Sequence, residues 1–211
     1  MKIKEISPGV ILLSFPTKKD LTFTMCRVEE FYEAASNKFR GQVFTWSEFL
    51  DEFMDDAGKI DYFHFWSGFN IPGHIYEEWS VKFKDLSKRE LELIGAVDNI
   101  VGERDTKFYI IAAVEGEDSV EEHEIAHAKF YINNEYKKEM MKLNDNLYKS
   151  VRILMTDKFK ELGYSTTVYE DELQAYLATS DTKYLMDRFK ITEEAAKAVC
   201  PAYAEVFKKY G

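Results

Sequence analysis

The sequence predicts an α+β fold, in which a small N-terminal sheet with helices is followed by a mostly helical half. Two short apolar runs rich in strand-forming residues occur before residue 115, at residues 10–15 and 107–114. Beyond residue 119, apolar residues recur instead at the three- and four-residue spacing of helices. We therefore predict an N-terminal α+β part over residues 1–106 and a helical part over residues 107–211, forming one compact unit with a shared cleft.

Local sequence signals predict the elements of the N-terminal part. Thr45 and Ser87 are each followed three residues later by a glutamate, at Glu48 and Glu90. This is the spacing of a capping box, in which each side chain bonds the other residue's backbone amide at a helix start. Glycine and proline predict a loop at residues 67–73. The predicted elements are, in order, a strand at 10–15, a helix at 20–35, a helix from 45 to about 55, a strand at 62–66, the loop at 67–73 and a helix from 87 to about 97.

The second part begins with the most strand-like segment of the sequence, residues 107–114. We expect this strand to form a sheet edge along which an extended peptide can pair. Ser119 and Glu122 have capping-box spacing, as do Thr167 and Glu170, so both pairs predict helix starts. The predicted helices are 119–132, 135–143, 147–162, 167–179 and 192–209, the last bent near Pro201.

Composition argues against several classes of function. With 28 Lys and Arg against 38 Asp and Glu, the net charge is −10, which would repel the phosphate backbone of a nucleic acid. The two cysteines, Cys26 and Cys200, are too few for a disulfide framework or a thiolate zinc site. No run approaches the roughly 18 apolar residues of a membrane span, and the N-terminal run is too short for a signal peptide. We therefore expect a cytoplasmic protein that contacts neither nucleic acid nor membrane.

One motif carries chemistry, because residues 123–127 match the pattern HExxH. Positions i and i+4 of a helix share a face, so His123 and His127 can reach one metal ion. Glu124 lies about 100° around the helix, where it can accept a proton from metal-bound water without being a ligand. Such a pair suits a catalytic zinc, which takes three protein ligands and a water. The simpler interpretation is two ordinary histidines at the edge of a core.

A catalytic zinc needs a third protein ligand, and no histidine follows His127. We therefore expect a carboxylate from a later helix. Glu172 is the first choice because it projects away from the apolar side of its helix, and Glu170 and Asp171 remain alternatives. These acidic residues are also explained by a solvated helix start, which the helix dipole favours.

The segment HEIAHA after a strand, with an E-x-x-A segment on a later helix, resembles the gluzincin clan of zinc metallopeptidases. The resemblance covers about residues 107–179. It implies a zincin-like fold for this part, with zinc bound by His123, His127 and Glu172. It also implies that Glu124 acts as the general base.

The chain departs from thermolysin-like members of that clan in two ways. Residue 176 is tyrosine where those members carry an aspartate that supports a histidine, and the spacing of 45 residues between His127 and Glu172 is longer. Tyr169 and Tyr176, on either side of Glu172, are candidates for the group that stabilises an oxyanion. His74, just after the predicted loop, is a third candidate. Packing or a surface position is the plain alternative for each.

The sequence therefore predicts a zinc-dependent hydrolase, specifically a peptidase acting on peptide or protein substrates. The acidic charge and the many aromatic residues favour neutral or basic substrates. Phe69 and Ile71 of the predicted loop either border the cleft or fill the core beneath the sheet. His64, between aromatic residues, is more simply structural. The alternatives are a non-catalytic regulatory or binding module stabilised by zinc, and an acidic interaction protein in which HExxH occurs by chance.

Overall fold

The computed structural model describes residues 1–34, 37–102 and 107–210, and it confirms the predicted α+β class. The strands of these residues form one four-stranded sheet, and most of the remaining described residues are helical. The elements are, in chain order, β1 (Lys2–Ser7), β2 (Val10–Phe15), α1 (Lys18–Glu33), α2 (Trp46–Phe53), α3 (Tyr62–Phe65), β3 (Gly68–Pro72), α4 (Gly73–Lys82), α5 (Lys88–Val101), β4 (Tyr109–Val114), α6 (Asp118–Ile132), α7 (Asn134–Asp145), α8 (Lys149–Glu161), a 3-10 turn (Thr166–Val168), α9 (Tyr169–Thr179), α10 (Thr182–Phe189) and α11 (Glu193–Lys209).

The chain divides into two compact units, Met1–Glu121 and Glu122–Gly211. The sequence predicts a division at residue 107, ahead of β4. The difference arises because β4 pairs with a strand on each side and so belongs to the sheet of the first unit. The boundary falls inside α6, so that the whole HExxH motif lies in the second unit.

The sheet has the strand order β1-β2-β4-β3. β2 runs parallel to β4, whereas β1 and β3 are antiparallel to their neighbours. The expectation that β4 forms an edge for peptide pairing is therefore wrong. Five of its six residues are buried, as its continuous apolar run requires, and both sides of its backbone are hydrogen-bonded to neighbouring strands.

The segment predicted as a loop at 67–73 is instead strand β3, paired with β4. Phe69 and Ile71 are buried in the apolar core of the first unit, which confirms the alternative in which these side chains fill the core. Gly73 follows at once and starts α4. A Cβ atom there would lie 2.7 Å from the carbonyl oxygen of Phe108, so only glycine permits this close approach.

The capping boxes predicted to open α2 and α5 are confirmed, and α11 begins after Thr192 as predicted, whereas α6 and α9 do not begin at their predicted capping boxes. Capping boxes are present at Thr45 and at Ser87, where α2 and α5 begin. Helix α6 begins at Asp118, so Ser119 lies inside it, and α9 begins after the 3-10 turn without a side-chain cap. The side chain of Glu170 accepts hydrogen bonds from other elements instead of capping.

Other local predictions also changed. The predicted strand at 62–66 is the short helix α3, and β1, α4 and α10 had no counterpart in the prediction. Ala35, at the end of the first predicted helix, lies outside the described residues. Cys26 and Cys200 are both free thiols, the first buried and the second partly buried. Across the described residues, none of the helices combines the length and apolar character needed to cross a bilayer.

The first unit contains a fully buried ion pair in addition to its apolar core. The guanidinium of Arg27 on α1 donates to both carboxylate oxygens of Glu90 on α5, from Nε at 2.7 Å and from Nη2 at 2.9 Å. Neither side chain is exposed. Glu90 also accepts from the indole of Trp46 and from the backbone amide of Ser87. The buried carboxylate is thus satisfied by donors of the protein itself.

Candidate metal centre

Two helices of the second unit, α6 and α9, supply the candidate metal ligands. His123 and His127 lie one turn apart on α6, and their Nε2 atoms are 3.2 Å apart. The carboxylate of Glu172 on α9 faces both, with one oxygen 3.9 Å from His123 Nε2 and the other 3.9 Å from His127 Nε2. One ligand atom from each residue therefore falls within a sphere small enough for a single ion, with all of these atoms within 4.8 Å of one another.

These separations fit the dimensions of a tetrahedral zinc site. Bonds of roughly 2.0–2.1 Å to nitrogen and oxygen place neighbouring ligand atoms about 3.3 Å apart. The two imidazole nitrogens match that value, and the carboxylate oxygens are about half an ångström further out. His123, His127 and Glu172 could hold a metal ion, and a tetrahedral ion with these three protein ligands takes a fourth ligand.

The three acidic residues of α9 have separate partners. Glu172 is buried and faces the two histidines. Asp171 contacts His127 on its other nitrogen, with 2.9 Å between Asp171 Oδ1 and His127 Nδ1. Glu170 accepts hydrogen bonds from Arg152 and from the amide of Asn144. The geometry favours Glu172 over its neighbours as the third ligand.

Asp171 makes a contact with His127 that the sequence did not reveal. A carboxylate on Nδ1 keeps the proton on that nitrogen, so the lone pair of His127 Nε2 is left for a metal. Residue 176 does not offer such a carboxylate, whereas Asp171, next to the candidate ligand Glu172, is placed where it could support His127. Successive helix residues point about 100° apart, so adjacent acidic residues can serve the metal and the histidine separately.

The pKa values of the two histidines are shifted in opposite directions. Burial lowers the pKa of His123, and the neighbouring His127 lowers it further. Burial also opposes the charge on His127, but the nearby carboxylates of Asp171, Glu172 and Glu124 outweigh it and raise the pKa of His127. The site is therefore electronegative around His127 and favours a cation there.

No family model, curated protein or solved structure matches this chain. The gluzincin resemblance stays a prediction that depends on the HExxH motif and the downstream glutamate.

Glu124 lies in the motif but outside the group of candidate ligands. Its side chain is 7% exposed, and its charge contributes to the raised pKa of His127. A carboxylate whose charge acts on His127 but which is outside the ligand group is a candidate proton acceptor. Its role as general base stays a prediction.

The structure separates the three candidates for oxyanion stabilisation. The ring of Tyr176 lies against His123, with 4.5 Å between ring centroids, and its hydroxyl is hydrogen-bonded to Tyr164. Tyr169 packs against Phe159 in the apolar core of the second unit. His74 is exposed on α4 in the first unit. The structure thus places Tyr176 in contact with a candidate ligand.

Burial raises the pKa of Tyr176, and the charge of Glu172 raises it further. The phenol therefore stays protonated at neutral pH and retains a proton to donate. His64, interpreted as structural, is exposed on α3.

Proposed function

We propose that this protein is a zinc-dependent hydrolase, and specifically a peptidase. The observation that carries the proposal is the convergence of Glu172 on the two histidines of the HExxH helix. The motif lies on one helix, whereas Glu172 is 45 residues further along the chain. A chance motif in an acidic interaction protein would not require a distant carboxylate at ligand distance from both imidazoles.

The ligand chemistry supports zinc over other common ions. Magnesium and calcium prefer sites made of oxygen atoms, whereas two imidazoles and one carboxylate are a typical ligand set for catalytic zinc. Three protein ligands leave one position open, which distinguishes catalytic sites from closed structural ones. His123, His127 and Glu172 would hold the ion.

When bound, zinc polarises a carbonyl group and lowers the pKa of water toward neutrality. The residues of the chain perform the remaining tasks. Glu124 accepts a proton from the attacking water and later passes it to the leaving amine. Asp171 holds the imidazole of His127 in the tautomer that binds metal. Tyr176 packs its ring against His123 and keeps its phenolic proton.

The substrate follows from charge and chemistry together. A protein with a net charge of −10 attracts basic partners and repels acidic ones, at rates that fall with added salt. We therefore propose neutral or basic peptides or proteins as substrates. A preference for acidic peptides would contradict this part of the proposal without affecting the metal site.

The test combines metal content with turnover. We expect purified protein to contain about one zinc per chain, and His123→Ala to lose it. His64→Ala is a matched control because it removes an exposed histidine from the first unit. Wild-type protein should cleave members of a peptide library. If the protein binds zinc but cleaves no peptide, the non-catalytic module is favoured. If it binds no zinc, both the hydrolase and the zinc-stabilised module are rejected.

A further inference from the structure

A fully buried glutamine lies behind the candidate metal centre. Gln174 on α9 is 0% exposed, and its amide nitrogen donates to Asp171 Oδ1 at 2.9 Å and to the carbonyl oxygen of Ala126 at 3.3 Å. Its amide oxygen accepts from the hydroxyl of Tyr136 on α7 at 2.6 Å. Tyr136 is also 0% exposed. Breaking any of these three hydrogen bonds would leave a buried polar group without a partner, which costs free energy.

The chemistry of these partners allows one direction for each hydrogen bond. A carboxylate and a carbonyl oxygen can only accept, so the amide nitrogen of Gln174 must face Asp171 and Ala126. The amide oxygen then faces Tyr136, whose hydroxyl must donate. Asp171 Oδ1 accepts from Gln174 and lies 2.9 Å from His127 Nδ1, which also donates. The other ring nitrogen of His127, Nε2, faces Glu172 and His123 and is the atom that would bind a metal.

We propose that Gln174, held by Tyr136, is a positioning residue for the metal site. It keeps Asp171 against His127, and it ties α9 to the backbone of α6 at Ala126, one residue before that histidine. Gln174 thereby sets the position of a ligand that it does not touch. This inference rests on the proposed zinc site and goes beyond it, since it assigns metal affinity to residues outside the group of ligands.

The experiment measures the zinc Kd by competition with a chelator. Gln174→Met keeps the length of the side chain and removes its hydrogen bonds. We expect this variant to bind zinc about 10- to 100-fold more weakly. Tyr136→Phe removes only the outer hydroxyl, and we expect a loss of about two- to tenfold. Tyr203→Phe is the matched control, because its buried hydroxyl donates to an amide oxygen, on Asn144, within the same unit. It should leave the zinc Kd within about twofold of wild type.

A double variant tests whether Gln174 acts through Asp171. With Asp171→Ala already present, adding Gln174→Met should weaken zinc binding little further, because the group that it positions is gone. The absorption spectrum of cobalt-loaded protein should shift in Gln174→Met and not in Tyr203→Phe, since it reports ligand geometry. If Gln174 had a purely structural role, Gln174→Met would lower Tm, as Tyr203→Phe would, but the cobalt spectrum would not shift in either variant.

The outcomes are distinguishable. A folded Gln174→Met protein with the wild-type zinc Kd overturns the inference, and so does a full additional loss in the double variant. If Gln174→Met fails to fold, the zinc Kd of Tyr136→Phe is the test, and a wild-type Kd in that variant overturns the inference. Wild-type protein that binds no zinc rejects the proposed function, and this inference with it.

Discussion

Each unit of this protein buries a cluster of ionisable side chains, and the two clusters differ in what neutralises them. In the first unit, Arg27 and Glu90 form a two-pronged ion pair whose side chains are both 0% exposed. In the second, two imidazole nitrogens and a carboxylate converge on one point. The first cluster pairs donors with acceptors, whereas the second brings together lone pairs.

The comparison teaches how to recognise a structural cluster and a binding cluster. Glu90 accepts from Arg27, Trp46 and the backbone of Ser87, so a positive charge and neutral donors of the same unit surround it. In the second cluster, two imidazoles and a carboxylate are placed so that they could hold a metal ion, and the nearby carboxylates raise the pKa of His127. Burying charge is costly, so a cation bound between these groups would offset part of the cost of burying the carboxylates.

The largest expected effect is on catalysis in the second cluster. Glu124→Gln keeps the shape of the side chain but cannot accept the proton from water, so turnover of a cleaved peptide should fall by about 10²- to 10⁴-fold. Zinc content and Tm should stay at wild-type values, because Glu124 lies outside the group of ligands. Near-normal turnover would show that Glu124 is not the base.

The next largest effect breaks the first cluster. Arg27→Met leaves the Glu90 carboxylate buried without its cation, and we expect a loss of about 3–5 kcal/mol in the free energy of unfolding. All three tryptophans, Trp46, Trp66 and Trp79, lie in the first unit, so tryptophan fluorescence during urea unfolding follows that unit alone.

Replacing both partners sharpens the same comparison. In Arg27→Met combined with Glu90→Leu no charge remains buried, so the double variant should be more stable than Arg27→Met alone. If the double variant is less stable than Arg27→Met, the cost does not come from an unpaired charge.

The third prediction separates adjacent acidic residues of α9. Glu172→Ala should weaken zinc binding by about 100-fold or more, because it removes a ligand. Glu170→Ala should change the zinc Kd by less than about threefold while lowering Tm, because Glu170 is bonded to Arg152 and Asn144. Chelator competition and thermal unfolding measure the two effects. Equal zinc affinity in both variants would redirect the ligand assignment to Asp171.

The smallest expected effect concerns a second buried carboxylate of the first unit. Burial raises the pKa of Glu30, although a hydrogen bond from the Tyr62 hydroxyl opposes this, and the charge of Glu52 raises it further. A raised pKa means that the ionised form is disfavoured in the folded protein. This contribution to stability is therefore greatest below the unfolded pKa of about 4.5 and is lost as pH rises through the folded pKa.

Glu30→Gln removes that penalty. We expect Tm to rise at pH 7 by up to about 3 °C, roughly the shift that 1 kcal/mol produces in a chain of this size. Near pH 4 the advantage should be smaller, because the wild-type carboxyl is then largely protonated. An equal gain at both pH values would mean that charge is not the cause.

Pairing and packing account for the main errors of the sequence analysis. Residues 68–72 contain glycine and proline, which indicate a loop, yet they form β3 because β4 offers an antiparallel partner. The position of β4 inside the sheet was likewise invisible, since a buried apolar run has the same composition at an edge or in the interior. Gln174 and Tyr136 gave no signal at all, because hydrogen bonds between distant helices leave no fixed spacing in a sequence.

The sequence by itself determined the α+β class, the capped starts of α2 and α5, and the two histidines on one helical face. These features depend on neighbours within a few residues, whose geometry a helix fixes. Only the tertiary structure decided between Glu172 and Asp171. Both lie in the first turn of α9, and their directions differ by about 100°, so either could face a metal. The rotation of α9 against α6 decides which carboxylate faces the ligand nitrogens and which supports His127, and packing between distant segments sets that rotation.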